Sequence, residues 1–191
     1  MAATAHQVPI QRGRPRSDES RQAILRAALD LVAEVGYRDM TVEGIAARAG
    51  TGKQTIYRWW RGKADVVLDA MTADAARKIP VPDTGDLRAD LQVFLAATFA
   101  TARRPGVIPV LRALMAEAQL DPDFGTAFDS GLLQSRREAL ATLLRRHPDE
   151  LRVPVATAVE TVFGVMWYRI LTRRRRLDAT LTRELVELLV R

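Results

Sequence analysis

The chain is 191 residues long and 48% apolar, carries a formal net charge of +6 and contains no cysteine. That length and apolar share allow a sizeable buried core and exclude an intrinsically disordered chain. The missing cysteines exclude disulfides, thiolate metal sites and cysteine nucleophiles, and they fit a reducing compartment.

The positive charge is unevenly placed. From Ile10 to Lys63, eleven Lys or Arg stand against six Asp or Glu, whereas residues 64–191 hold eighteen against seventeen. A basic first third joined to a near-neutral remainder points to nucleic-acid contact, with a solvated basic surface as the alternative. No apolar run approaches the ~18 residues of a membrane span, and Met1 to Gln11 lacks the basic-then-apolar order of a signal peptide. A cytoplasmic protein without a membrane partner is expected. The two histidines, His6 and His147, lie in a leader and beside a proline. Neither a metal cluster nor a histidine-based triad is within reach, so neither an enzyme nor a cofactor is expected.

Taken in order, residues 1–16 read as a flexible basic arm carrying Arg12, Arg14 and Arg16. Such an arm lies in a minor groove or along a DNA backbone, or is a disordered leader. A first helix follows, capped by Ser17 or Asp18 and ended by Gly36, with Ile24, Leu25, Ala28, Leu31, Val32 and Val35 on one face. Thr41 opens a short helix over 42–49, and a third helix runs from Lys53 to Trp60. Gly62 breaks the chain before a helix over 63–78. Two prolines and a glycine between Ile79 and Gly85 end that helix. Helices are then expected over 86–103, 106–119, 130–146, 154–174 and 179–191, with Asp121-Pro122-Asp123 read as a turn. The predicted fold is all-α, with about nine helices. Its units are a DNA-binding domain over 17–62, a connecting helix over 63–78 and a second domain over 79–191.

The informative stretch runs from Thr41 to Lys63. Two short helices meet at Gly50-Thr51-Gly52; Ile45, Ala46 and Ala49 give the first an apolar face, and Ile56 and Trp60 do so for the second. Small alanines permit the close approach of a helix-turn-helix, which leaves the outer face of the second helix free for a major groove. From Gly13 to about Met71 the sequence resembles the TetR/AcrR DNA-binding domain. The matching pieces are Gly36-Tyr37, Met40-Thr41-Val42, Ile45-Ala46-Ala47-Arg48-Ala49-Gly50, Thr55-Ile56-Tyr57, Trp60, Lys63 and Asp65.

The resemblance implies a dimeric regulator, expected to repress, that binds palindromic double-stranded operator DNA and is released by a small-molecule effector. The implied DNA contacts are Thr41, Thr51, Lys53, Gln54, Thr55, Tyr57, Arg58, Trp59 and Lys63, with Arg14 and Arg16 in the arm. Lys53 suits guanine and Gln54 adenine, while Tyr57 and Lys63 match positions that touch the backbone. Trp59 either donates its indole N–H to a phosphate or packs. Gly52 departs from the usual hydroxyl cap, which leaves Thr51 to supply one or the cap absent.

Beyond Pro82 the resemblance continues to one C-terminal branch of the family, carried by residues 109–119, Asp121-Pro122 and Arg136-Arg137. Phe94, Phe99, Met115, Phe128, Phe163, Met166 and Trp167 are candidate pocket residues, since aromatic and methionine side chains suit an adaptable apolar cavity. The helix from Val155 has two apolar faces, one built from Val155, Val159, Val162, Phe163, Met166 and Ile170. Its second face, Ala158, Thr161, Val165 and Tyr168, joins Leu181, Leu185 and Leu188 of the last helix as the expected homodimer surface. The run Arg173 to Arg176 reads as a solvated loop.

Overall fold

In the computed structural model, residues 14–172 and 176–191 are described, with the side chains of 14–16 excepted. The all-α expectation holds: the described residues form helices linked by short turns, with a single isolated antiparallel bridge between Leu151 and Val190.

Helix α1 spans Arg14–Asp39 and starts one turn before the expected caps Ser17 and Asp18, with Pro15 in its first turn, where a missing N–H costs nothing. Ile24, Leu25, Ala27, Ala28 and Val32 form its buried face, whereas Val35 is exposed. Gly36 kinks the helix at φ +80°, a left-handed value that glycine adopts without the Cβ penalty. Helices α2 (Val42–Arg48) and α3 (Lys53–Tyr57) follow, then α4 (Lys63–Lys78). Ile45 and Ile56 are fully buried in the core that α1 and α4 share.

The C-terminal helices are α5 (Leu87–Ala102), α6 (Val107–Leu120), α7 (Pro122–Phe128), α8 (Gln134–Arg145), α9 (Val155–Thr172) and α10 (Ala179–Leu189). Leu87, Leu91, Phe94, Leu95 and Phe99 are fully buried or nearly so, which makes α5 the core of this layer. Asp86 caps α5 by accepting from the N–H of Ala89 at 3.0 Å. The stretch expected to be a turn at Asp121-Pro122-Asp123 is instead the start of α7. Asp121 caps it through the N–H groups of Asp123 and Phe124, and Pro122 takes the first helical position. A π turn over Asp129–Leu133 carries α7 into α8 without a break.

Two close approaches join the layers. Gly106 (φ +79°) abuts α1, where an added Cβ would lie 2.8 Å from the carbonyl oxygen of Val32. Gly125 of α7 would meet the carbonyl oxygen of Ala118 in α6 at 2.7 Å. The end of the chain is held by main-chain bonds from Arg152 to Leu189 and from Arg191 to Glu150, both 2.9 Å. No helix among the described residues is long and apolar enough to cross a membrane.

Candidate nucleic-acid interface and ligand cavity

Helices α2 and α3 meet at Gly50, whose φ of +65° makes the tight turn, and the N–H of Thr51 bonds back to the carbonyl of Ala46 at 3.0 Å. Thr41 caps α2 by accepting from the N–H of Gly44 at 3.0 Å. Helix α3 has no side-chain cap: Gly52 occupies the cap position and Thr51 does not replace it. The N–H groups at the start of α3 are therefore left uncapped by any side chain. With Ile56 turned into the core, Lys53, Gln54, Tyr57 and Arg58 are exposed on the outer side and Thr55 is half-buried. Lys53 lies 3.6 Å from Glu43, an exposed pair worth little in water. Tyr57 is 48% exposed, high for a tyrosine next to a core.

Lys63, expected to contact a phosphate, is bonded within the chain. Its ammonium donates to the carbonyls of Tyr37 (3.0 Å), Arg38 (3.2 Å) and Met40 (3.0 Å) and sits 4.8 Å above the Tyr37 ring. A lysine has three N–H donors, and all three are committed to the end of α1. The kink at Gly36 precedes these carbonyls, so Lys63 ties α4 to the segment entering α2. Burial, with Glu117 and Asp65 nearby, pushes the Tyr37 phenol up to about 12. Trp59 is half-buried, edge-on to Trp60 at 5.4 Å, and carries the Arg58 guanidinium 4.8 Å above its ring. The packing alternative describes its ring, and Arg58 is thereby held in place.

The sequence reading missed Arg21 and Asp69. Asp69 of α4 accepts from the Trp60 indole N–H at 3.0 Å and pairs with Arg21 of α1, whose guanidinium also lies 5.8 Å over the Trp60 ring. One carboxylate thus fastens the residue that ends the recognition unit to two long helices. Arg48 of α2 pairs with Glu34 of α1. Asp65 accepts from the N–H of Arg61 at 3.0 Å and steadies the start of α4. Of the expected arm, residues 1–13 lie outside the described residues; Arg14 and Arg16 fall in α1, with side chains outside the description.

A cavity of about 360 Å³ lies under α1 and α4, walled by α6, α8 and α9. Met115, Phe163, Met166 and Trp167 line it as expected, joined by Leu29 and Val32 of α1 and Met71 of α4. Phe94, Phe99 and Phe128 do not: α5 turns the first two into the solid core, and Phe128 packs against Phe124 and the edge of Trp167. Its polar wall was not foreseen. Asp74 of α4 is buried and takes hydrogen bonds from Arg77 (2.6 Å) and Arg104, with Lys78 at 3.0 Å. Burial pushes its carboxyl up, but the bonds from Lys78 and Arg104 outweigh that and hold it below the ordinary carboxylate value. Arg104 lies just past α5, so this cluster joins the end of α4 to the α5–α6 turn.

The expected dimer surface divides. Ala158, Leu181 and Leu185 are buried against their own chain, because α10 lays its leucine stripe on α5 and Ala158 turns inward; they leave the set. Tyr168 (61%) and Leu188 (56%) are exposed, Thr161 and Val165 are half-exposed, and Leu171 joins them as an exposed apolar residue. Residues 173–175 of the arginine run lie outside the described residues.

Comparison with known proteins agrees with this geometry. Residues 24–70 match the family described as bacterial regulatory proteins, tetR family, and residues 81–189 match the tetracyclin repressor-like C-terminal domain. The uncharacterized HTH-type transcriptional regulator YdeS of Bacillus subtilis is 35% identical over 182 residues, which is 92% of this chain and 90% of that protein. The DNA-binding transcriptional repressor TetR of Mycobacteroides abscessus is 34% identical over 139 residues, 72% of this chain and 62% of that protein. Among solved structures, the TetR family transcription regulator SCO0332 superposes with a TM-score of 0.78 at 31% identity, covering 88% of this chain and 94% of that one. These are regulators and not enzymes, and the chain belongs to the TetR family of transcriptional regulators, with α2 and α3 as its DNA-binding helix-turn-helix.

Proposed function

We propose that the chain is a cytoplasmic repressor that binds a palindromic operator as a homodimer and is released when a small molecule enters the cavity under α1 and α4. Residues 17–62 act as the DNA-binding unit, 63–78 as the connecting helix, and 79–191 as the ligand and dimer unit. The observation that carries this reading is the shared wall. Leu29, Val32 and Met71 line the cavity, and their helices also hold the recognition unit through Asp69, Arg21 and Lys63. A ligand that favours one placement of α1 and α4 therefore shifts the spacing of two recognition helices, which must sit about 34–36 Å apart to bind successive major grooves. Lys53, Gln54 and Thr55 would meet bases, and Thr41, Thr51, Tyr57 and Arg58 the backbone. The Mycobacteroides abscessus relative is a DNA-binding repressor, which supports the sign of regulation.

The test is a titration of the purified protein against the intergenic DNA upstream of its own gene at two salt concentrations, with Tyr57→Phe alongside. Expected are saturable binding with a stoichiometry of one dimer per near-palindrome, a steep loss of affinity with salt, and weaker binding by Tyr57→Phe at unchanged thermal stability. Salt-independent binding, or a Tyr57→Phe protein that binds as tightly as wild type, overturns the reading at this surface.

A further inference from the structure

The cavity wall holds two hydrogen-bond donors without partners among the described residues: the Nε–H of Arg136 and the indole N–H of Trp167, both fully buried atoms. Among the described residues, Arg136 of α8 makes one bond, from a terminal nitrogen to the carbonyl of Ala75 at 3.3 Å, and has no carboxylate within 4.0 Å. The other charges on the wall are accounted for differently. Asp74 is saturated by Arg77, Lys78 and Arg104; Arg137 lies 3.5 Å from Asp129; Glu160 is exposed. A buried donor left unpaired keeps its full desolvation penalty, which is larger when the group is charged. Native proteins carry few such groups, and those they keep ask for a specific explanation. Here both are donors, one is cationic, and they line one cavity with Met115, Phe163 and Met166.

We propose, resting on the effector reading above, that the cavity binds an organic acid: a carboxylate accepted by Arg136 and Trp167 on an apolar body seated against Met115, Phe163 and Met166. Arginine Nε–H beside a terminal N–H is a natural fork for a carboxylate, and the guanidinium charge makes that bond charge-assisted. Burial also lowers the pKa of Arg136 from its ordinary value, a sign of the desolvation that an incoming anion offsets. A volume of 360 Å³ holds roughly a dozen non-hydrogen atoms at about 30 Å³ for each water-sized group, the size of a medium-chain or aromatic acid. A neutral alcohol of equal length fills the same apolar wall and leaves the cation unpaired. A primary amine meets it with like charge.

The experiment is calorimetric titration of the full-length protein with decanoate, 1-decanol and decylamine, for wild type, Arg136→Gln and Trp167→Phe, with circular dichroism to confirm folding. Wild type is expected to bind decanoate at least tenfold more tightly than decanol and to bind decylamine least. Arg136→Gln is expected to lose the preference for the acid while retaining decanol, and Trp167→Phe to reduce the preference several-fold. Equal or tighter binding of decanol by wild type overturns the proposal without any variant, as does a folded Arg136→Gln that keeps the preference or a wild type that binds none of the three. Operator titrations with each compound separate the two readings. Acid-selective binding that leaves operator affinity unchanged refutes release by ligand and leaves the acid site standing. Release by the neutral compound as readily as by the acid refutes the acid site and leaves ligand release standing.

Discussion

At the scale of single residues, Lys63 and Asp74 do work that their charges alone do not reveal. Lys63 replaces three waters with three carbonyls at the end of α1, so Lys63→Met, which keeps the stem, should lower stability by about 1–3 kcal/mol in a thermal melt. It should leave the salt slope of operator binding unchanged, whereas loss of a true phosphate lysine would reduce that slope by roughly one. Asp74 has a folded pKa below its ordinary value of 3.8, so its ionised form contributes stability above about that pH. The contribution disappears as pH falls through the lower folded value. Melting temperatures of wild type and Asp74→Asn should therefore differ at neutral pH and converge as pH falls from about 3.8 through the lower folded value. A gap that persists in acid would show that Asp74 contributes through shape and not through charge.

Among the elements, α1 and the start of α6 approach closely at Gly106. Gly106→Ala places a methyl 2.8 Å from a backbone oxygen and also forces φ +79° on a residue with a Cβ. Left-handed strain alone costs about 1–3 kcal/mol, and the clash adds to it. The expected result is a melting temperature lowered by several degrees, with Gly52→Ala, which meets nothing within 4 Å, as the mild comparison. The positions of most helices were legible because apolar spacing, glycine stops and the Ile79–Gly85 break are strong local signals. Helix α7 was not, because aspartate before proline marks a turn and a helix start equally well. The π turn has no residue signature at all. Lys63 at a helix start was visible, but the carbonyls above it arrive through a kink 27 residues earlier, at Gly36, and spacing within one element cannot encode that meeting. The unpaired donors Arg136 and Trp167 likewise became visible once two helices shared a cavity.

For the whole molecule, the outward surface of α9 and α10 is the face on which the proposed homodimer would form. Tyr168 and Leu188 are exposed, while Leu185, one turn from Leu188, is 2% exposed and belongs to the internal core. Tyr168→Glu should yield a folded monomer by light scattering, since it charges the apolar surface without touching the core. Leu185→Glu should fail to fold, as a buried unpaired carboxylate costs several kcal/mol. A Tyr168→Glu protein that remains a dimer would move the interface elsewhere on the molecule. The cavity is also no respecter of sequence order: Leu29 and Val32, which precede the helix-turn-helix in the chain, line it beside Met115 and Phe163. Genetic selection for altered effector response should therefore recover alleles at Leu29 and Val32 as readily as in the C-terminal half, and any map that assigns inducer phenotypes by sequence position would misfile them as operator-binding defects.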